Sequence, residues 1–243
     1  MIIVSCYFGK NNTSISKAPM ESKCYFFSNN LKIKKKAEKM GWKFIHVSHM
    51  PVSKDYRISS LQSKYVKFLQ FEKKLIGWDE GDSIIYFDHK LNVQQIHIKQ
   101  AEDLCKTEIL IKNHPTQNLL QNEIEDSMKQ ERYAKTMDKT IEWVNSRINS
   151  GNYSNNNLMM ATGFILFRDL NIAQKLCDEV YSTCVNLGQP ECQIVWGVLS
   201  QKFESNITRV DWKKIDIPKV PYSRYVKFIA FLKRTIKKLI DAI

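Results

Sequence analysis

The chain has 243 residues, 43% hydrophobic and 26% charged, with 12 Phe, 10 Tyr and 5 Trp. A chain of this size and make-up can bury roughly 70–75% of the surface its unfolded form exposes, so it is a folded globular protein. Eight Gly and six Pro exclude collagen-like and low-complexity material, and no apolar run reaches the roughly 20 residues of a membrane-spanning helix.

The opening run Met1-Ile2-Ile3-Val4-Ser5-Cys6-Tyr7-Phe8 enters strand-like sequence directly, without the basic and longer apolar regions of a signal peptide, and a cytoplasmic location is expected. Short apolar or β-branched runs bounded by polar residues predict strands at 2–8, 23–28, 42–47, 83–87, 108–111 and 160–167. Helical periodicity lies between them, at 31–40, 59–75, 93–104, 122–149, 170–187 and 190–203. In the second of these, Leu61, Tyr65, Phe68, Leu69 and Leu75 form an apolar stripe, with Lys64, Lys67, Lys73 and Lys74 elsewhere. The alternation predicts an α/β, Rossmann-like three-layer sandwich with a mostly parallel central sheet, formed by one domain over residues 1–217. Ligands in such folds bind beyond the carboxyl ends of the strands. The six cysteines, Cys6, Cys24, Cys105, Cys177, Cys184 and Cys192, have neither CxxC nor zinc-ligand spacing and read as reduced, buried thiols.

The net charge of +12 calls for an anionic partner. Residues 219–243 carry seven basic side chains against Asp241 alone, half of that excess. Apolar residues from Val226 to Ile243 recur at three- and four-residue steps among those cations, which predicts a basic amphipathic helix in a tail over 218–243. Such a helix either lies on an anionic membrane surface or packs on the body. Nucleic acid is disfavoured as a partner, because the remaining basic residues are scattered and largely offset by acids.

The strand at 83–87 runs straight into Asp88-His89-Lys90. A carboxylate there can hold a divalent cation or a ribose hydroxyl, with His89 and Lys90 offering positive charge to phosphate; alternatively Asp88 caps the next helix. Gly9-Lys10-Asn11-Asn12 lacks the further glycines of a dinucleotide fingerprint or P-loop, and there is no GxSxG or HExxH, which disfavours dehydrogenases, P-loop NTPases and common hydrolases. His114-Pro115 follows the fifth strand in an extended shape that aims the ring at the cleft. The acids at 123–126 read as helix-dipole partners, and residues 152–157 as a polar acceptor loop leading to Thr162-Gly163. Pro190 opens a helix beside Glu191.

Tyr86-Phe87-Asp88-His89-Lys90, the basic helix bearing Lys64 and Lys67, and the later Met160–Phe167 strand with its Thr162-Gly163 pair together resemble the GT-A glycosyltransferases, in particular bacterial enzymes of O-antigen, capsule and lipooligosaccharide synthesis. The resemblance implies a nucleotide-sugar donor and a lipid-linked or glycan acceptor at the inner face of the cell membrane, with peripheral attachment. In that family the strand-end motif is usually Asp-x-Asp and grips the diphosphate through a metal. With Lys90 in the third position, either lysine charge replaces the cation or Asp88 and other ligands hold Mn or Mg. The family pattern also implies Glu191 and Asp88 as catalytic residues, Glu191 being the base on the acceptor hydroxyl. Substrate contacts would come from Lys64, Lys67, His89, Lys90, His114, Thr162, Gly163 and Gln193. Two other readings stand beside it: Glu191 as a simple helix-dipole partner, and the whole chain as a non-catalytic basic membrane- or nucleic-acid-binding module.

Overall fold

A computed structural model describes residues 1–11, 13–21, 23–116, 119–155 and 158–220. The predicted tail helix and part of the 152–157 loop lie outside the described residues. In chain order the elements are β1 (Ile2–Cys6), β2 (Cys24–Ser28), α1 (Lys34–Lys39), β3 (Lys43–His46), α2 (Tyr56–Lys67), β4 (Ile84–Phe87), α3 (Gln95–Leu104), β5 (Ile109–Asn113), α4 (Leu120–Met128), α5 (Glu131–Ala134), α6 (Met137–Asn149), β6 (Met160–Phe167), α7 (Leu170–Leu187), α8 (Cys192–Leu199) and β7 (Ile207–Val210). The strands form one sheet in the order β3-β2-β1-β4-β6-β5-β7. It is mostly parallel, as expected; β6 alone runs against its neighbours, pairing antiparallel with β4 and β5.

Strand burial explains the layering. Along β1, Ile2, Val4 and Cys6 face one core and Ile3 the other; along β4, Ile84 and Tyr86 share the first core while Ile85 and Phe87 share the second. This period-2 alternation with apolar residues on both faces is what a sheet covered by helices on both sides requires. The first core is closed by α2, α7 and α8 through Val66, Leu176, Val180 and Trp196. The second is closed by α1, α3 and the 3-10 turn Trp212–Ile215 through Ala37, Ile98 and Ile215. All six cysteines are buried and unpaired. Among the described residues no helix is long and apolar enough to cross a membrane.

Two predicted elements change and one strand is added. The helix over 59–75 stops at Lys67, because Leu69 takes a left-handed φ of 55° and the Gln70 N–H turns back to the Tyr65 carbonyl at 2.8 Å. The single helix over 122–149 is three helices. The Tyr133 carbonyl, at the break, accepts from buried Gln189 Nε2 at 3.4 Å, and the same amide donates to Thr140 Oγ1 at 3.2 Å. The seventh strand, β7, was not predicted and extends the sheet parallel to β5. Beyond it the chain returns to the tip of β4: Asn92 N–H donates to the Pro218 carbonyl and Val220 N–H to the Lys90 carbonyl, both at 2.7 Å.

Candidate functional site

A cleft of about 600 Å³ opens beyond the carboxyl ends of β1, β4 and β5. Because β6 is antiparallel, its early residues Thr162 and Gly163 arrive at the same end, with Phe164 opposite Phe87. Helix α2 supplies Lys64 and Lys67, one turn apart and therefore on one face, and the start of α8 supplies Glu191, Cys192 and Gln193. Six cationic side chains line the cleft (Lys64, Lys67, Lys90, Lys112, Arg132 and Lys219) against the carboxylates of Asp88, Glu191 and Asp216. Charge of one sign in a partly enclosed cleft focuses the field on an anionic ligand.

Asp88 faces this space. Ser5 Oγ donates to the Phe87 carbonyl at 2.7 Å and the Asp88 N–H to the Gly163 carbonyl at 2.9 Å, which fixes the strand end. Tyr86, two residues earlier and on the same side of β4, donates its hydroxyl to Asp88 Oδ1 at 2.8 Å. Lys67 Nζ stands 3.3 Å from that same oxygen, with side-chain exposures of 5% for the lysine and 26% for the aspartate. Burial alone would raise the Asp88 pKa; the charges of Lys67, Lys90 and Lys64 and the Tyr86 hydroxyl outweigh it and hold the carboxyl well below the usual range. Burial likewise works against the charge on Lys64 and Lys67. Neighbouring groups, Cys192 and Glu191 first for Lys64 and Asp88 first for Lys67, offset it and leave both ammonium groups above the ordinary lysine value. Gly163 completes the seat: a Cβ there would stand 3.2 Å from Asp88 Oδ2.

The opposite wall is acidic. Glu191 is the N-cap of α8, its side chain accepting from the Gln193 N–H at 2.9 Å, so the helix-partner role is real while the residue also lines the cleft. Its own N–H donates to Gln189 Oε1 at 3.0 Å. Gln193 Nε2 donates to Glu123 Oε1 at 3.0 Å. Burial and then the charge of Glu191 push the Glu123 pKa up to about 7. Tyr133 and His114 border the same region. Burial lowers the His114 pKa, against the pull of Glu191 and Asp126.

His89 departs from its expected part. Burial pushes its pKa down to about 4, the ring packs edge-on against Tyr7 at 5.1 Å, and Nε2 lies 3.1 Å from Thr13 Oγ1. It is neutral at neutral pH and lines the wall, so positive charge comes from the lysines instead. Thr162 sits on the floor with its Oγ1 3.3 Å from Cys192 Sγ and 3.5 Å from Lys67 Nζ. Tyr86 and Cys192 have no site role in the sequence reading, and Glu123, expected as a helix-dipole partner, is one in the first turn of α4 while also lying beside Gln193. Tyr86 carried a usable signal, its two-residue offset from Asp88.

The residues present do not suit the divalent cation that the family pattern implies. Among the described residues no group of three His, Cys, Asp or Glu side chains comes together, whereas Mg or Mn needs several oxygen donors. Of the two Asp88 oxygens at the strand end, Oδ1 already faces a lysine ammonium and a tyrosine hydroxyl, which leaves Oδ2 alone to offer a metal.

No family model matches the sequence, and no curated protein does. Among solved structures the chain is similar to the galactosyltransferase LgtC, crystallised with donor and acceptor sugar analogues, at 12% identity and a TM-score of 0.43, covering 88% of this chain and 74% of that one. It is also similar to mouse xyloside xylosyltransferase 1 in its apo form, at 10% identity and a TM-score of 0.48, covering 87% of this chain and 85% of that one. Both neighbours are glycosyltransferases.

Proposed function

We propose that the protein is a glycosyltransferase of the GT-A kind, moving a sugar from a nucleoside-diphosphate donor to a lipid-linked or polysaccharide acceptor in surface-glycan synthesis. The observation that carries this reading is the ion pair of Asp88, at the tip of an inner strand, with Lys67, beside a second lysine, Lys64, buried in the same cleft. Lys64, Lys67 and Lys90 take the diphosphate, and the bare backbone at Gly163 leaves room for the Asp88 carboxylate that holds Lys67. The sugar then points to the wall of Glu191, His114 and Gln193.

In the transfer step the acceptor hydroxyl forms a bond to the anomeric carbon as the bond from that carbon to the diphosphate oxygen breaks. Glu191 receives the hydroxyl proton, and the lysines receive the negative charge that develops on the leaving diphosphate. The tail, which beyond Val220 lies outside the described residues, supplies a basic apolar segment suited to the anionic inner face of the membrane, where a lipid-linked acceptor resides.

A panel of nucleoside diphosphates tests the reading. A ligand at about 100 times its Kd adds about 2.7 kcal/mol to folding stability, several degrees in Tm for a chain of this size. A shift specific to one base and lost in Asp88→Ala is the expected result. No shift with any nucleotide, together with sedimentation on anionic liposomes that disappears when residues 221–243 are removed, would point to the non-catalytic binding module.

A further inference from the structure

We infer that the α2 lysine pair stands where a divalent cation would otherwise stand, so that the donor diphosphate binds to Lys64 and Lys67 without metal and Asp88 acts as the positioning residue for Lys67. This rests on the nucleotide-sugar reading above and narrows it.

Placing two ammonium groups one helical turn apart in a site almost closed to water is unfavourable, through desolvation and mutual repulsion, unless anions compensate both. Only one carboxylate makes a direct contact with the pair. Lys67 meets Asp88 at 3.3 Å and Thr162 at 3.5 Å. Lys64, 6% exposed and lining the cleft, forms no ion pair with any described residue. Glu191 and Asp88 stabilise the Lys64 ammonium from a distance, but in the donor-free protein neither touches it, so it faces the cleft with no anion in contact. A diphosphate, with two or more negative charges spread over several oxygens, supplies that contact, Lys64 offering it up to three N–H donors and Lys67 what Asp88 and Thr162 leave.

Geometry argues the same way from the side of the carboxylate. Asp88 Oδ1 is occupied by the Tyr86 hydroxyl at 2.8 Å and the Lys67 ammonium. That leaves Oδ2 as the one Asp88 oxygen for a metal, beside an ammonium that already neutralises the carboxylate and would repel a second cation. The residue two positions on, where a second acid would help, is Lys90, whose carbonyl is itself bonded to the Val220 N–H at 2.7 Å. The strand end is built to hold an ammonium.

Calorimetric titration of the full chain with uridine, guanosine, cytidine and adenosine diphosphates decides the point, run once with EDTA and once with Mn. Whichever base binds, its Kd should agree within about twofold between the two buffers, because lysine ammonium groups supply the charge in both. Lys64→Met should weaken binding about tenfold or more in EDTA, and Lys64→Arg should recover most of it. The wild-type comparison needs no variant to fold. Binding that requires Mn would overturn this inference while leaving the nucleotide-sugar reading intact. Binding in neither buffer would overturn both, and Lys64→Met binding as the wild type does would remove Lys64 from the site.

Discussion

The two walls of the cleft solve opposite electrostatic problems. At the β4 tip, unlike charges meet: Asp88 sits against Lys67 and stays ionised, its carboxyl held low by the cations around it. On the α8 side, like charges meet: Glu123 and Glu191 lie close enough that burial and repulsion raise Glu123 to about 7, with Gln193 bonded to its Oε1. The first wall is suited to receiving a strongly anionic group, and the second to holding or taking a proton. A site with both can separate the departing charge from the incoming hydroxyl, and environments that push titratable groups apart mark such division of labour.

The contrast breaks most sharply at Glu191. Glu191→Ala should lower kcat for release of nucleoside diphosphate from the donor by about 100-fold with little change in diphosphate affinity, the signature of lost proton transfer. The same variant should lose about 1 kcal/mol of stability as the α8 cap disappears. Equal loss of affinity and turnover would instead place Glu191 on the donor side. A smaller effect is expected at Gly163→Ala. The added methyl, 3.2 Å from Asp88 Oδ2, should displace the carboxylate and weaken diphosphate binding by about fivefold, through a shift of Lys67. Unchanged binding would mean that Asp88 has room to yield.

The third effect is on stability alone. Glu123 has a folded pKa of about 7 against an unfolded value near 4.5. Its contribution is therefore fully present below pH 4.5 and is lost as the pH rises through 7, at most roughly 3 kcal/mol. Glu123→Gln keeps an acceptor for Gln193 and removes the titration, so denaturant curves of this variant should lack that decline between pH 4.5 and 7. A parallel decline in both proteins would assign the pH dependence elsewhere.

How far the sequence reached follows from which signals are local. Strands β1 to β6 were readable because each is a short apolar run; β7 was not, since Ile207-Thr208-Arg209-Val210 has half-exposed polar residues in its middle and follows a 3-10 segment. The breaks after Lys67 and at residues 129–136 carry no Gly or Pro, so periodicity ran through them. Asp88 was legible from its place at a strand end, whereas Lys64 and Lys67 entered as site residues only through the family resemblance. Glu123 was assigned to a helix dipole because only the fold sets it near Glu191, some seventy residues on. The direction of β6 was equally hidden, yet that reversal delivers Thr162 and Gly163 to Asp88.

The return of the chain to the β4 tip has a mechanical meaning. Leu91 bridges to Lys219 and the flanking amides and carbonyls clasp both strands of this short ribbon, so the last described residues are stitched to the loop that begins at Asp88. Any force or tether applied through residues 221–243 arrives first at the mouth of the cleft rather than at a remote corner of the body. Wherever that segment comes to rest, it fixes which way the opening looks.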